Sequence, residues 1–193
     1  CRRLADGIFV EHLPATDGVE MSELELIAGT SDAGASNQGQ RLSVFLWDLG
    51  GQDEYLATHP FFIDDSAIFA LVVSLELFER SNHSNVAASV RFLRTVVARA
   101  PNASIALIGT HADSVAQPTE AIEQLHLQLE AACPGALTAS LVFAISSRDG
   151  AGVDELRAQL AAHALSLDHV RETVPAPYIK LHEQLHERAA ASP

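Results

Sequence analysis

Asp48, Gly51 and Gln52 follow the apolar run Leu42-Ser43-Val44-Phe45-Leu46-Trp47, and they are residue types that phosphate chemistry uses at this spacing. A carboxylate at a strand end can lie behind Mg²⁺, a glycine amide can face a γ-phosphate, and a glutamine can orient an attacking water. Leu42, Val44, Phe45 and Leu46 read as a buried strand, and Gly50-Gly51 lets the backbone turn sharply toward a ligand. Two later apolar runs end in chemistry of a matching kind. Ile105 to Gly109 leads into Thr110-His111-Ala112-Asp113, and Leu141 to Ile145 leads into Ser146-Ser147-Arg148. All three motifs stand at C-terminal ends of predicted strands, where open α/β sheets bind ligands. An aspartate at position 113 can accept two hydrogen bonds from a guanine edge, which adenine cannot supply. Ser146 and Ser147 would close the base pocket.

The elements that must carry these ends are legible in the pattern. Glu20 to Ala28 alternates as a strand, and Gly29 to Gln40 reads as a polar turn leading into the Asp48 strand. Ala67 to Ser74 is a further buried strand. Val86 to Ala100 has helical spacing through Val86, Val90, Leu93 and Val97, and Pro101 stops it. Pro118 suits the first position of a helix over 119–132, and Gly152 to Leu167 makes a last amphipathic helix. Strands alternating with helices predict an α/β fold with a mostly parallel, doubly wound sheet.

With these motifs on the page, the chain resembles the Roc domain of the Roco proteins, a Ras-like GTPase family. Trp47 to Tyr55, followed by Thr58-His59-Pro60-Phe61-Phe62, resembles their switch II. Thr110-His111-Ala112-Asp113 resembles their guanine motif, with Thr-His in place of Asn-Lys. Val174 to Leu181 resembles the start of the COR domain that follows Roc. The resemblance implies a Ras-like P-loop GTPase fold over residues 1–170, with a linker and the first COR helix over 171–193. It implies GTP/GDP and Mg²⁺ as ligands and Gln52 as the catalytic, water-orienting residue. Asp48, Gly51, Thr110, His111, Asp113, Ser146 and Ser147 would contact the nucleotide or its ion. Thr16, in Thr-Asp-Gly-Val, resembles the switch I threonine that reaches Mg²⁺ together with Asp48. His111 either packs beside the ribose or base or faces solvent, and Arg148 is expected to be an exposed loop cation. A parent protein of this kind would be a cytoplasmic GTP-binding switch with slow hydrolysis. It would dimerise through COR, with leucine-rich repeats and a kinase domain as possible neighbours.

One part of the pattern is missing. No G-x-x-x-x-G-K-[ST] sequence occurs, and the single lysine of the 193 residues is Lys180, far from any such context. Residues Cys1 to Gly7 resemble the second half of the helix that follows that loop, so the chain reads as starting just downstream of it. In the Ras-like order the absent first strand lies between the Asp48 strand and the Ala67 strand. Both neighbours would then keep unpaired backbone groups, and the isolated chain is expected to be unstable. The alternative reading is a scaffold or dimerisation module that no longer binds nucleotide.

Composition narrows the classes. At 193 residues and 48% hydrophobic, the chain can build one core. A net charge of −13 opposes nucleic acid as a partner. Cys1 and Cys133 are too few for a disulfide framework, which fits a reducing compartment, and no apolar run reaches membrane-spanning length. His182-Glu183-Gln184-Leu185-His186 matches the zinc-protease helix signature, but of the seven residues after His186 only the adjacent Glu187 is of a ligand type, so a zinc site is not expected.

Overall fold

The computed structural model describes residues 4, 7–10, 16, 18–28, 40–50, 59–81, 86–171, 177–178 and 184. Gly51, Gln52, most of the turn after β1, the 172–176 linker and most of the COR-like segment, with its His182 and His186, lie outside the described residues.

Strand β1 (Val19–Ala28) pairs antiparallel with β2 (Gln40–Leu49), in a register running from Val19 opposite Leu49 to Ala28 opposite Gln40. The remaining strands form a parallel sheet in the order β3 (Ile68–Ser74), β4 (Ser104–Thr110), β5 (Val142–Ala144). The helices are α1 (Leu75–Arg80), α2 (Ala87–Arg99), α3 (Pro118–Ala132) and α4 (Val153–Ser166). The sequence pattern predicted a mostly parallel sheet with a missing strand between the Asp48 strand and the Ala67 strand, and that is where the ladders stop. Among the described residues there are two sheets, with β2 and β3 at separate edges and no ladder joining them.

Strand β4 is the centre of the parallel sheet. Ile105 to Gly109 are all buried, because β3 and β5 flank the strand and helices cover both of its faces. One cluster joins Leu71, Leu75, Phe78, Leu93, Ile105, Leu107, Leu125 and Leu129. A second, built on Ala106, Ile108, Phe143, Val153 and Leu156, fills the other face. Helix α1 was not foreseen in the sequence: its six residues are too short to show a helical period. Ser74 caps it, its Oγ accepting from the Leu77 N–H at 3.3 Å, and it buries Leu75 and Phe78.

Two expectations need correction. Helix α2 buries Val96, fully, and leaves Val97 42% exposed. Both positions fit the i+3/i+4 spacing from Leu93, and the packing against β3 and β4 selects the first. Phe45 was read with Leu42, Val44 and Leu46 as part of a buried strand, yet it is 57% exposed. Leu42, Val44 and Leu46 face inward instead, because the two-stranded sheet has one covered face and strand side chains alternate. Trp47 on the open face meets the Phe62 ring edge-on, with centroids 5.3 Å apart.

What joins the sheets is α4. Leu156 packs with β4 and β5, Ala161 packs with Leu24 and Leu26 of β1, and Leu160 touches both clusters, as does Leu4. Arg157 donates from one guanidinium nitrogen to the Glu25 carbonyl at 2.8 Å and from another to the Leu4 carbonyl. Hydrogen bonds from a charged donor contribute about 1.5–3 kcal/mol each. Arg157→Met should therefore lower stability by roughly 1–3 kcal/mol and speed amide exchange in β1 and β2 more than in β4. Equal acceleration in both sheets, read by hydrogen-exchange mass spectrometry, would refute this assignment of Arg157.

Candidate functional site

The Asp48 side of the site is built by strand pairing. Asp48 stands opposite Glu20 near the end of the β1–β2 ladder. Beyond the ladder the Gly50 N–H donates to the Gly18 carbonyl at 2.8 Å, and Gly18 turns with φ 73°. That turn brings Thr16 back over the strand end, where its hydroxyl donates to Asp48 Oδ2 at 3.1 Å, across 32 positions of sequence. The two residues named as metal-facing are thus in contact. A hydroxyl and a carboxylate are the hard oxygen donors that Mg²⁺ takes, so the pair fits such an ion. Among the described residues no cluster of three or more His, Cys, Asp or Glu could hold a metal on side chains alone.

The second half grows from the ends of β4 and β5. Gly109 allows the close approach of α1 and α3: a Cβ there would lie 2.7 Å from Leu75 Cδ2 and 2.9 Å from Ile122 Cδ1. Past β4 the Thr110 hydroxyl donates to the Val73 carbonyl at 3.4 Å and lies 3.1 Å from His111 Nδ1. His111 then takes the left-handed conformation, φ 60° and ψ 37°, the sole non-glycine with positive φ among the described residues. Such backbone costs of order 1 kcal/mol and persists where the surroundings hold it. Here they do: the Ile145 N–H donates to the Gly109 carbonyl at 2.7 Å, and the Ala112 N–H donates to the Ile145 carbonyl at 3.1 Å. The reversal places Ala112 to Ser114 in a 3-10 turn against the loop that follows β5. His111 is exposed at the mouth of this turn.

Asp113 as a whole residue is exposed, while its side chain is only 17% exposed and its Oδ2 faces that loop. Its Oδ2 lies 3.7 Å from Arg148 Nη1. Arg148, expected to be a loop cation alone, is 65% exposed yet carries this ion pair. Sequence reasoning missed the pairing because nothing in the spacing of residues 113 and 148 reports it.

Ser146 is fully buried, and its hydroxyl accepts from the Asp149 N–H at 3.3 Å. Its backbone closes the turn, the N–H donating to the Ala151 carbonyl and the carbonyl accepting from the Gly150 N–H. Ser146 thus shapes the loop from within, and the half-buried Ser147 stands nearer the surface. Gly152 starts α4 with φ 75°, and a Cβ on it would lie 2.6 Å from the Ala144 carbonyl oxygen.

A parallel sheet whose strand ends carry such motifs has the fold of the Ras-like P-loop GTPases, here without a phosphate loop in the sequence. The profile described as "Ras of Complex, Roc, domain of DAPkinase" matches residues 1–113. The chain belongs to the Roc family. It is 24% identical over 180 residues to the probable serine/threonine-protein kinase pats1 of Dictyostelium discoideum, covering 90% of this chain and 6% of that protein. It is 35% identical over 100 residues to human malignant fibrous histiocytoma-amplified sequence 1, covering 52% of this chain and 8% of that one. The chain therefore spans a small fraction of these relatives. Among solved structures, the Methanosarcina barkeri Roco2 RocCORdC bound to GDP superposes with a TM-score of 0.67 at 17% identity. That match covers 95% of this chain and 50% of the other.

The geometry of the loop after β5 gives a direct expectation. Gly152→Ala places a side chain at positive φ and against a backbone oxygen. It should lower stability by about 1–3 kcal/mol, read as a shifted urea midpoint. An unchanged midpoint would show that this turn is free to relax.

Proposed function

We propose that this chain is the guanine-selecting and ion-facing part of a GTP-binding switch with slow GTP hydrolysis, working within a larger signalling protein. The observation that carries the reading is the sheltered Asp113 carboxylate, held in the turn after a strand buried from Ile105 to Gly109 and beside the Ser146 loop. Its two oxygens can accept the N1–H and the 2-amino group of guanine together. Adenine presents no such pair of donors. Thr110 ties the motif to β3, and His111 supplies the reversal that aims Asp113. Ser147 and the loop backbone close the base site.

On the other side, Thr16 and Asp48 would hold Mg²⁺, directly or through a bound water. When bound, that ion neutralises phosphate charge. Gly51 would face the γ-phosphate, and Gln52 would orient the attacking water. Nucleotide affinity at sites of this class rests largely on loop amides and a lysine at the phosphates, neither of which these 193 residues contain in the G-x-x-x-x-G-K-[ST] pattern. These residues alone are therefore expected to bind nucleotide weakly. The kinase relatives support a place in signalling, and the family resemblance supports dimerisation through a following COR region, leucine-rich repeats before it and a cytoplasmic setting. Among the described residues no helix is long and apolar enough to cross a membrane.

The reading is tested in the full-length protein with fluorescent GDP and ADP. Asp113→Ala should reduce the preference for GDP over ADP about ten-fold or more, as expected for loss of a bidentate base contact. An unchanged preference would remove the guanine assignment and favour a scaffold without nucleotide chemistry. Thr16→Val should weaken Mg²⁺-dependent GTP binding while leaving Mg²⁺-free GDP binding as it is. Equal losses under both conditions would take Thr16 out of the ion site.

A further inference from the structure

We propose that Arg148 is a latch on the base site: it pairs with Asp113 when no base is present and must yield when guanine enters, so it sets how strongly the 2-amino group is selected. The inference deepens the guanine-site reading and rests on it. Arg148 Nη1 lies 3.7 Å from Asp113 Oδ2, too long for a hydrogen bond but close enough for a charge pair. The carboxylate end is sheltered and the guanidinium end is in solvent, at 17% and 65% side-chain exposure. The loop that carries Arg148 is fixed on the Asp113 side by the buried Ser146 and on the α4 side by Gly152. The guanidinium therefore reaches the carboxylate from a fixed loop, on an arm exposed to solvent.

Guanine engages both carboxylate oxygens, through N1–H and the 2-amino group, and so competes with Arg148 for Oδ2. Hypoxanthine keeps N1–H but lacks the 2-amino group. It needs one oxygen and can leave the other to Arg148. The latch thus weakens guanine binding more than hypoxanthine binding and makes base selection dependent on salt, because an exposed charge pair is screened.

The test measures GDP, inosine diphosphate and ADP affinities of the full-length protein, in the wild type and in Arg148→Ala, Arg148→Gln and Arg148→Lys. Arg148→Ala and Arg148→Gln should raise the GDP-to-inosine-diphosphate preference about two- to five-fold, the range of an exposed ion pair. Arg148→Lys should keep the wild-type ratio. Between about 50 and 300 mM salt, the wild-type ratio should climb toward that of Arg148→Ala, whose own ratio stays flat. In an Asp113→Ala background, Arg148→Ala should change nothing. A ratio unmoved by Arg148→Ala, or a fall in GDP affinity on that substitution, overturns the latch, the second outcome making Arg148 a direct ligand contact. If Asp113→Ala itself leaves the preference for GDP over ADP intact, the guanine site falls first, and that result is separate from the behaviour of Arg148.

Discussion

One helix seated on two sheets is the constraint on which the rest of the molecule depends. Helix α4 presents Leu156 to the β4–β5 face, Ala161 to Leu24 and Leu26 of β1, and Leu160 to both. Hydrophobic contact of this kind is non-directional and would let the β1–β2 pair slide. The Arg157 guanidinium supplies direction by reaching backbone carbonyls at Glu25 and Leu4. The candidate site is divided between the same two bodies: Asp48 and the Thr16 bonded to it lie at the end of the two-stranded sheet, and Asp113 and the Ser146 loop at the end of the three-stranded one. Any change in how α4 bridges them would change where an ion and a base stand relative to each other.

Within the three-stranded sheet, rigidity runs from the core outward. β4 is enclosed on both edges and both faces, so its end point is fixed, and β5 is fixed to it by a ladder that continues through Ile145 to Gly109 and Ala112. The strained His111 backbone can be sustained only because those hydrogen bonds hold both sides of it. Chemistry carried on such a turn is positioned by the strand and not by its own loop. The Thr16–Asp48 contact works on a related principle, since the ladder register and the Gly18 turn determine which residue meets the carboxylate.

Much of this was legible in advance. Strand runs ending in Asp48, Thr110 and Ser146 were visible because apolar stretches stop abruptly at polar residues; helices α2 and α3 were visible because their apolar spacing and prolines agree, and α4 by its spacing after Gly152. Phe45 and Val97 were misread for a common reason: an apolar residue adjacent to a core position looks like core until the packing partner is known. The six residues of α1 carry no period at all. The split between β2 and β3 follows from pairing, which no local pattern records, although the order of strands had marked that boundary as the place for an absent neighbour.

The division between chain and fold is clearest at Asp113. Its residue type, its place after an apolar strand and its four-residue motif were set by local sequence, because a carboxylate at a strand end keeps its chemistry wherever the chain goes. That the carboxylate is sheltered, that Arg148 stands beside it, and that the Ser146 hydroxyl is spent inside its own turn were decided by folding. These are relations between side chains from different elements, and they exist only once β5 has paired with β4 and α4 has closed against both. Sequence specifies the groups; packing and register specify which of them meet.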